Sequence, residues 1–319
     1  MTEINSRKIA IIGCGFVGSA CAFALMQSGL FSEIVLIDAN EERAQGEALD
    51  ISHGLPFSKP MQIYSGSYDD ITDAGIVAIT AGAGQKPGES RLELVHKNVE
   101  IFKSIIPEIS KRNYNGILLV VSNPVDILTY AALKLSGLPS NRVFGSGTVL
   151  DTARLKFLLG EHLGVDARSV HAFILGEHGD SETAAFGSAN VSGIELKKFC
   201  RNTCTESEHE KAMKQIADDV KKSAYEIIDK KGATYYGIAM AVRRICEAII
   251  LDQKSILPIS CMQSGQNGIY DVALSMPMIV GKQGAERAVE IPLSDDERRA
   301  IRDSADMLKG IIKTLDLEQ

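Results

Sequence analysis

The chain lacks tryptophan, contains only 6% aromatic residues, and has no apolar run near membrane-spanning length among its 319 residues. A spanning helix needs about 20 such residues, so we expect no membrane partner. No Lys/Arg-rich segment offsets the net charge of −7, which argues against nucleic-acid binding. No hydrophobic signal region precedes the first apolar run, and we therefore expect a cytoplasmic protein.

Cysteine is sparse, and no two cysteines form a C-x-x-C pair. The six are Cys14, Cys21, Cys200, Cys204, Cys246 and Cys261. We interpret them as reduced thiols that pack as small apolar side chains and predict no metal site; a metal or disulfide role is the less favoured alternative. The 45% hydrophobic and 24% charged content excludes disordered, collagen-like and disulfide-dense chains.

Short β-rich runs alternate with helical stretches in the first half of the chain. The predicted strands are residues 8–12, 34–38, 76–80 and 117–121, and the predicted helices are 16–28 and 91–112. Continuous apolar strands separated by helices are typical of a parallel sheet that is covered on both faces. The pattern predicts an α/β domain with a doubly wound, Rossmann-type parallel sheet over residues 1–147.

After residue 147 the pattern changes to long helices with short strands between them. The predicted helices are 151–163, 206–230 and 234–251, and the predicted strands are 170–175, 255–260, 269–272 and 278–280. A capping box from Ser294 to Glu297 begins a last helix with one apolar stripe. We predict an α+β substrate domain over residues 148–319, packed closely on the first so that a cleft lies between them.

A G-x-G-x-x-G motif at residues 13–18 follows the first predicted strand and begins the first predicted helix. In this context Gly13 allows a tight turn, Gly15 lets a pyrophosphate approach the backbone, and Gly18 lets helix and sheet pack closely. Asp38 ends the next strand twenty residues after Gly18. Its carboxylate can accept hydrogen bonds from ribose hydroxyls and would repel a 2′-phosphate, which favours NAD over NADP.

Candidate catalytic groups follow in the second half. His178 lies between glycines just after a predicted strand, whereas Asp151 and Arg154 share one face of a predicted helix. A carboxylate beside an imidazole fixes its tautomer and favours its protonated form. Arginine binds a carboxylate through two hydrogen bonds. Arg91 follows a Gly- and Pro-rich segment that we interpret as a mobile loop over the site.

Taken together, these motifs identify a family resemblance. The chain resembles the lactate/malate dehydrogenase family, and within it the bacterial NAD-dependent L-lactate dehydrogenases. The motifs that match in order are QKPGESR at 85–91, SNPVD at 122–126, DTAR at 151–154, LGEHGDS at 175–181 and KGATYYG at 231–237. With the glycine motif, they extend over most of the chain.

The resemblance implies reversible hydride transfer between NADH and pyruvate to give L-lactate. His178 would exchange the proton, Asp151 would stabilise its imidazolium, Arg154 would bind the substrate carboxylate, and Arg91 would polarise the carbonyl. Asn123 and Thr234 would contact substrate, and Thr234 and Ile238 would lie on one helix at the far wall of the pocket. Further NAD contacts implied by the resemblance are Val17, Arg43, Tyr68, Gly82, Ala83, Ser104, Val121, Asn123, Ser146 and Ile238.

Gln85 carries the prediction of substrate specificity. Malate dehydrogenases of this family have arginine at its position, which pairs the second carboxylate of oxaloacetate. A neutral Gln85 leaves that charge unpaired in a closed site, so dicarboxylates should be disfavoured as substrates by about 10³-fold or more relative to monocarboxylates. A dehydrogenase of larger 2-hydroxy monocarboxylates, of the hydroxyisocaproate type, is an open alternative. A non-catalytic NAD-binding scaffold is another, although it would not need the four catalytic residues.

The resemblance also implies regulation and assembly. His171 occupies the position of a histidine in family members that fructose 1,6-bisphosphate activates, but Lys156 replaces the arginine that accompanies it. A cation is retained while the two-pronged phosphate contact is lost. We expect an activator site at a subunit interface of a homotetramer that functions in glycolysis and fermentation.

Overall fold

A computed structural model describes residues 3–84, 88, 90–200 and 204–317 of the chain. Its helices are α1 Phe16–Ser28, α2 Glu41–Ser52, α3 Arg91–Ser110, α4 Val125–Ser136, α5 Val149–Leu163, α6 Leu196–Cys200, α7 Glu206–Lys231, α8 Tyr236–Ile250 and α9 Asp295–Ile312. Its strands are β1 Asn5–Ile12, β2 Glu33–Ile37, β3 Gln62–Ser65, β4 Ala74–Ile79, β5 Ile117–Val120, β6 Val143–Gly145, β7 Val170–His171, β8 Ile174–Leu175, β9 Thr183–Ala184, β10 Asn190–Val191, β11 Ile194–Glu195, β12 Ser255–Ser264, β13 Tyr270–Gly281 and β14 Gly284–Ala288.

The first half forms the predicted doubly wound sheet. Strands β3, β2, β1, β4, β5 and β6 are adjacent in that order, and all of their pairings are parallel. The strand order reverses between β1 and β4, and in such sheets ligands bind in the crevice at the carboxyl ends of the strands on either side of this point. Fully buried strands such as β5 explain the continuous apolar runs of the sequence. The predicted α/β class is therefore confirmed.

The strands near the end of the chain differ from the prediction. Instead of three short strands, residues 255–281 contain the long antiparallel pair β12 and β13, and β14 follows. Ser260 of β12 pairs with Gly145 of β6, so these strands extend the parallel sheet instead of forming a separate one. Pro258 of β12 pairs with Pro277 of β13. Because proline has no backbone N–H to donate, its presence in an apolar run argues against predicting a strand there.

Two further boundaries were predicted incorrectly. Residues 170–175 form β7 and β8, which belong to different small sheets, instead of one strand. Helix α8 begins at Tyr236, so Thr234 lies in the loop before it and not on the helix with Ile238. The capping box is present as predicted, since Ser294 accepts a hydrogen bond from the Glu297 backbone and the Glu297 carboxylate accepts one from the Ser294 backbone.

One apolar core connects the two halves of the chain. Cys21 and Ala22 of α1 belong to the same buried cluster as Val242 and Cys246 of α8. A second cluster covers the opposite face of the sheet and includes Ile301 of α9. Because the sheet and its core continue past residue 147, the boundary placed there stays a prediction. None of the helices in the described ranges is long and apolar enough to span a membrane.

Candidate functional site

The glycine motif forms the turn between β1 and α1. Gly13 adopts φ of +102°, a conformation that favours glycine, and a Cβ atom there would overlap the backbone of Ala81. A Cβ atom on Gly18 would overlap the carbonyl oxygen of Gly13. These two glycines are therefore required for the chain and helix to pack as they do.

Gly15 has a different reason to be glycine. It is the N-cap of α1, where no side chain caps the helix and no acidic residue lies in the first turn. A Cβ atom on Gly15 would meet no atom of the described residues within 4 Å. The first backbone N–H groups of a helix attract anions. The uncapped helix start and the open space beside it fit a pyrophosphate.

Asp38 directly follows β2 and faces the same turn. Its Oδ2 accepts a hydrogen bond of 2.6 Å from the backbone N–H of Cys14, and its Oδ1 accepts one of 2.9 Å from that of Asn40. An ionised carboxylate can accept about four hydrogen bonds, so acceptor capacity is left on both oxygens. The half-buried Asp38 therefore fits the predicted contact with ribose hydroxyls.

Asn98 of α3 connects two loops at the carboxyl ends of the strands, and sequence reasoning did not identify it. Its side-chain oxygen accepts a hydrogen bond of 2.7 Å from the backbone N–H of Ala83, after β4. Its Nδ2 donates one of 2.8 Å to the carbonyl oxygen of Asn123, after β5. Asn98 is 1% exposed. The only sequence signal for its role is a side-chain amide that can both donate and accept hydrogen bonds.

The other predicted cofactor residues fall into two groups. Those at the carboxyl edge of the sheet, or in the first turn of the helix that follows, are Val17, Arg43, Gly82, Ala83, Val121, Asn123 and Ser146. The remaining three have contacts elsewhere. The Tyr68 ring lies 5.6 Å from the Arg112 guanidinium, the Ser104 hydroxyl donates to a carbonyl of its own helix, and Ile238 packs on the core that includes α1. Their roles stay predictions.

His178, Asp151 and Arg154 lie together, although 24 or more residues separate His178 from the other two in sequence. Asp151 is 2% exposed in the first turn of α5. Its Oδ2 lies 2.5 Å from His178 Nδ1, and its Oδ1 accepts a hydrogen bond of 2.8 Å from Arg154. Because Nδ1 faces Asp151, the other ring nitrogen, Nε2, is left to act on a ligand.

The charges around His178 favour its protonated form. Burial lowers the pKa of His178, but the charge and hydrogen bond of Asp151, with smaller effects of Asp126 and Glu182, outweigh it and raise the pKa to about 9. Burial alone would raise the pKa of Asp151, yet His178 and Arg154 hold it below its usual value. The pair therefore forms an imidazolium and a carboxylate at neutral pH.

Two buried carboxyl groups beside His178 were not predicted. Asp126 of α4 accepts a hydrogen bond of 2.7 Å from the His178 backbone N–H, and burial raises its pKa to about 6. One carboxyl oxygen of Glu182 lies within 4.8 Å of a carboxyl oxygen of Asp151 and of a ring nitrogen of His178. Burial and Asp151 raise the pKa of Glu182 to about 8, so it is largely neutral at pH 7. Asp126 is 52 residues from His178 in sequence, whereas Glu182 follows His178 by four positions.

Arg91 begins α3, and its guanidinium is bound by two carboxylates. It donates to Glu177 and, over 3.1 Å, to Asp180. Glu177 is 2% exposed and also accepts a hydrogen bond from Ser181. Arg91 therefore lies at the entrance of the site with its charge neutralised, and it must exchange partners before it can contact a substrate carbonyl.

A cavity of about 460 Å³ opens beside these groups. Asp151, Arg154, His178, Arg91 and Asn123 all line it. The opposite wall comes from α7, through Val220, Ala224, Tyr225 and Ile228. Thr234 and Ile238 are not among the described residues that line this cavity, and their contact with a ligand stays a prediction. Gln85 lies outside the described residues.

Lys156 and His171 line a second cavity, of about 360 Å³. Arg244 of α8 lines it as well, and sequence reasoning did not identify this third basic residue. Burial and the charge of Arg244 lower the pKa of Lys156. Met240 and Ile256, which also line this cavity, are 52% and 46% exposed. Basic side chains therefore lie next to exposed apolar side chains at this cavity.

Comparison with known proteins covers almost the whole chain. Residues 7–145 match the lactate/malate dehydrogenase NAD-binding domain, and residues 148–318 match the α/β C-terminal domain of the same family. The chain is 54% identical to an L-lactate dehydrogenase of Acetivibrio thermocellus, over 98% of each chain. It is also 54% identical to L-lactate dehydrogenase 1 of Clostridium acetobutylicum, over 98% of this chain and 99% of the other. The ligand-bound crystal structure of the minor L-lactate dehydrogenase of Enterococcus mundtii superposes with a TM-score of 0.94 at 41% identity, covering 98% of this chain and 100% of that one.

Proposed function

Because the chain belongs to the lactate/malate dehydrogenase family, we propose that it is an NAD-dependent L-lactate dehydrogenase, which interconverts pyruvate and L-lactate. One observation carries the proposal. The imidazole of His178 is held by the buried Asp151, and the guanidinium of Arg154 lies on the same carboxylate at the wall of one cavity. A proton donor is thus fixed next to a group that binds a carboxylate.

His178 and Asp151 carry out the proton transfer. In pyruvate reduction, protonated His178 donates from Nε2 to the carbonyl oxygen, and Asp151 stabilises the imidazolium until the proton leaves. In lactate oxidation, neutral His178 accepts the proton of the hydroxyl group. NADH, when bound, supplies the hydride to the carbonyl carbon. Gly15 and the start of α1 would hold its pyrophosphate, and Asp38 its adenosine ribose.

Arg154 and Arg91 have separate tasks in the proposal. Arg154 is only 14% exposed and binds the carboxylate of pyruvate through two parallel hydrogen bonds. Arg91 leaves Glu177 and Asp180 when substrate binds and polarises the carbonyl. Asn123 contacts the substrate or the nicotinamide ribose from the loop after β5.

A substrate panel tests the proposal. Initial rates of NADH oxidation are measured with pyruvate, oxaloacetate and branched 2-oxo acids under identical conditions. We expect the highest kcat/KM for pyruvate. A higher value for a branched acid would identify the hydroxyisocaproate-type alternative. NADH binding with no oxidation in the presence of any of these acids would identify a scaffold and refute the proposal.

The pKa of His178 predicts the pH dependence of both directions. Because pyruvate reduction needs the imidazolium, its kcat/KM should be constant below pH 9 and fall about tenfold per pH unit above it. Lactate oxidation needs the neutral ring and should rise with pH until it levels off near pH 9. Rates across pH 6 to 10 test this, and a midpoint near the ordinary histidine value of about 6.5 would contradict it.

Gln85 predicts the discrimination between mono- and dicarboxylates. Gln85→Arg should raise the ratio of kcat/KM for oxaloacetate to that for pyruvate by about tenfold or more, because the cation pairs the second carboxylate. The neutral variant Gln85→Leu is the matched control and should leave oxaloacetate disfavoured. If the unmodified protein already prefers oxaloacetate, the specificity argument fails.

The cavity lined by Lys156, His171 and Arg244 supports the proposed activator site of a homotetramer. Fructose 1,6-bisphosphate should lower the pyruvate concentration that gives half-maximal rate, because its phosphates pair with Lys156 and Arg244. Lys156→Gln should abolish the shift, whereas Lys111→Gln, which removes an exposed lysine of another surface, should preserve it. Identical pyruvate saturation curves with and without the bisphosphate would show that the bisphosphate does not activate the protein. Roles in cytoplasmic glycolysis and fermentation follow from the proposed reaction.

A further inference from the structure

A cluster of metal-ligating side chains lies outside the catalytic cavity. Cys200 ends α6, Cys204 precedes α7, and His162 belongs to the last turn of α5. His162 Nε2 lies 3.7 Å from Cys200 Sγ and 3.9 Å from Cys204 Sγ. The three donor atoms all lie within 4.8 Å of one another. The C-x-x-C rule does not detect this group, because the cysteines are four positions apart and the histidine precedes them by 38 and 42 residues.

These distances match the geometry of one shared cation. With Zn–S bonds of about 2.3 Å and Zn–N bonds of about 2.0 Å, ligand atoms at two corners of a tetrahedron lie roughly 3.5–3.8 Å apart. The two measured S–N separations are close to this range, so a cation fits between the three side chains with little movement. Two thiolates and an imidazole are ligands that Zn²⁺ prefers.

His209, five residues after Cys204, is not one of these ligands. It is 9% exposed, and its Nδ1 atom has no hydrogen-bond partner among the described residues, but its ring nitrogens do not lie within 4.8 Å of all three donor atoms. The cluster therefore provides three protein ligands and leaves one tetrahedral position for water.

We propose that His162, Cys200 and Cys204 bind one zinc-class divalent cation, with water in the fourth tetrahedral position. Binding exchanges two S–H protons for two metal–thiolate bonds, so one cation enters and two protons leave without any redox change. The cation would join the end of α5 to the segment between α6 and α7. Because α7 also lines the catalytic cavity, this site would stabilise the wall opposite His178.

Cobalt binding tests the site without any activity assay. The full-length protein is reduced, stripped of metal with a chelator, and titrated with Co²⁺ under anaerobic conditions. We expect one equivalent to give a thiolate-to-cobalt charge-transfer band and the visible d–d bands of a tetrahedral site, and one equivalent of Zn²⁺ to displace it. About two protons should be released per cation in a weakly buffered solution. The cation should also raise the unfolding temperature.

Matched variants assign the ligands. Cys200→Ala and Cys204→Ala should each weaken Co²⁺ binding by at least about 100-fold and remove the charge-transfer contribution of one sulfur. Cys21→Ala and the exposed-histidine variant His53→Gln should leave the titration unchanged. His162→Gln should alter the d–d bands. Equal Co²⁺ binding by the unmodified protein and the two cysteine variants would overturn the proposal, as would a Cys200–Cys204 disulfide in the protein isolated without added oxidant.

Discussion

Replacing His178 with glutamine is expected to lower kcat for pyruvate reduction by about 10³-fold, within the range of a lost general acid. Glutamine retains a hydrogen-bond donor toward the carbonyl but cannot give up a proton, and it cannot form the charged pair with Asp151. The affinity for NADH should be unchanged, because His178 lies outside the turn that would hold the pyrophosphate. Single-turnover rates with pre-bound NADH measure the chemical step directly.

The control for this variant is His53→Gln, which replaces an exposed histidine at the end of α2. It should retain the full rate and the same pH profile. The His178 variant should also lose the fall in rate near pH 9, because the group that titrates there is gone. A His178→Gln protein with an unchanged single-turnover rate would show that another group supplies the proton.

Replacing Arg154 with glutamine is expected to lower kcat/KM for pyruvate by about 10³-fold. The substrate carboxylate would then be buried without its cation, and breaking such a pair costs about 3–5 kcal/mol. The kcat/KM of Arg154→Lys should lie between those of Arg154→Gln and the unmodified protein, since lysine restores the charge but not the pair of parallel hydrogen bonds. Steady-state kinetics with pyruvate measure both effects.

Arg168→Gln is the matched control for Arg154, because its side chain is 90% exposed and pairs with Asp166 instead of a group of the cavity. Its kinetics should equal those of the unmodified protein. The loss in the Arg154 variants should appear mainly with substrate, while NADH titration stays normal. Equal kcat/KM for Arg154→Gln and the unmodified protein would mean that the carboxylate binds elsewhere.

Features with local signals were predictable from the sequence. Helix α1 has the predicted bounds Phe16–Ser28, because a glycine turn begins it and Gly29 in the left-handed conformation ends it. The capping box at Ser294 depends on residues three positions apart, and the structure contains it. Four of the six strands of the parallel sheet, β1, β2, β4 and β5, contain continuous apolar runs and were predicted, whereas β3 and β6 were not.

Features that depend on distant contacts were not predictable. The long pair β12 and β13 joins the first sheet through Ser260 and Gly145, and no local pattern marks that pairing. Asp126, 52 residues away in sequence, approaches His178 only after the chain folds. Likewise, the sequence places Arg91 after a Gly- and Pro-rich segment, but its pairing with Glu177 requires the position of a buried carboxylate 86 residues away.

A crystal structure of the protein with NADH and oxamate, an amide analogue of pyruvate, tests the central arrangement most directly. The account predicts that the oxamate carboxylate accepts two hydrogen bonds of about 2.7–2.9 Å from Arg154. It also predicts that His178 Nε2 lies within hydrogen-bonding distance of the oxamate carbonyl oxygen while Nδ1 stays on Asp151. Oxamate bound away from Arg154, or a His178 ring that faces away from the carbonyl, would contradict it.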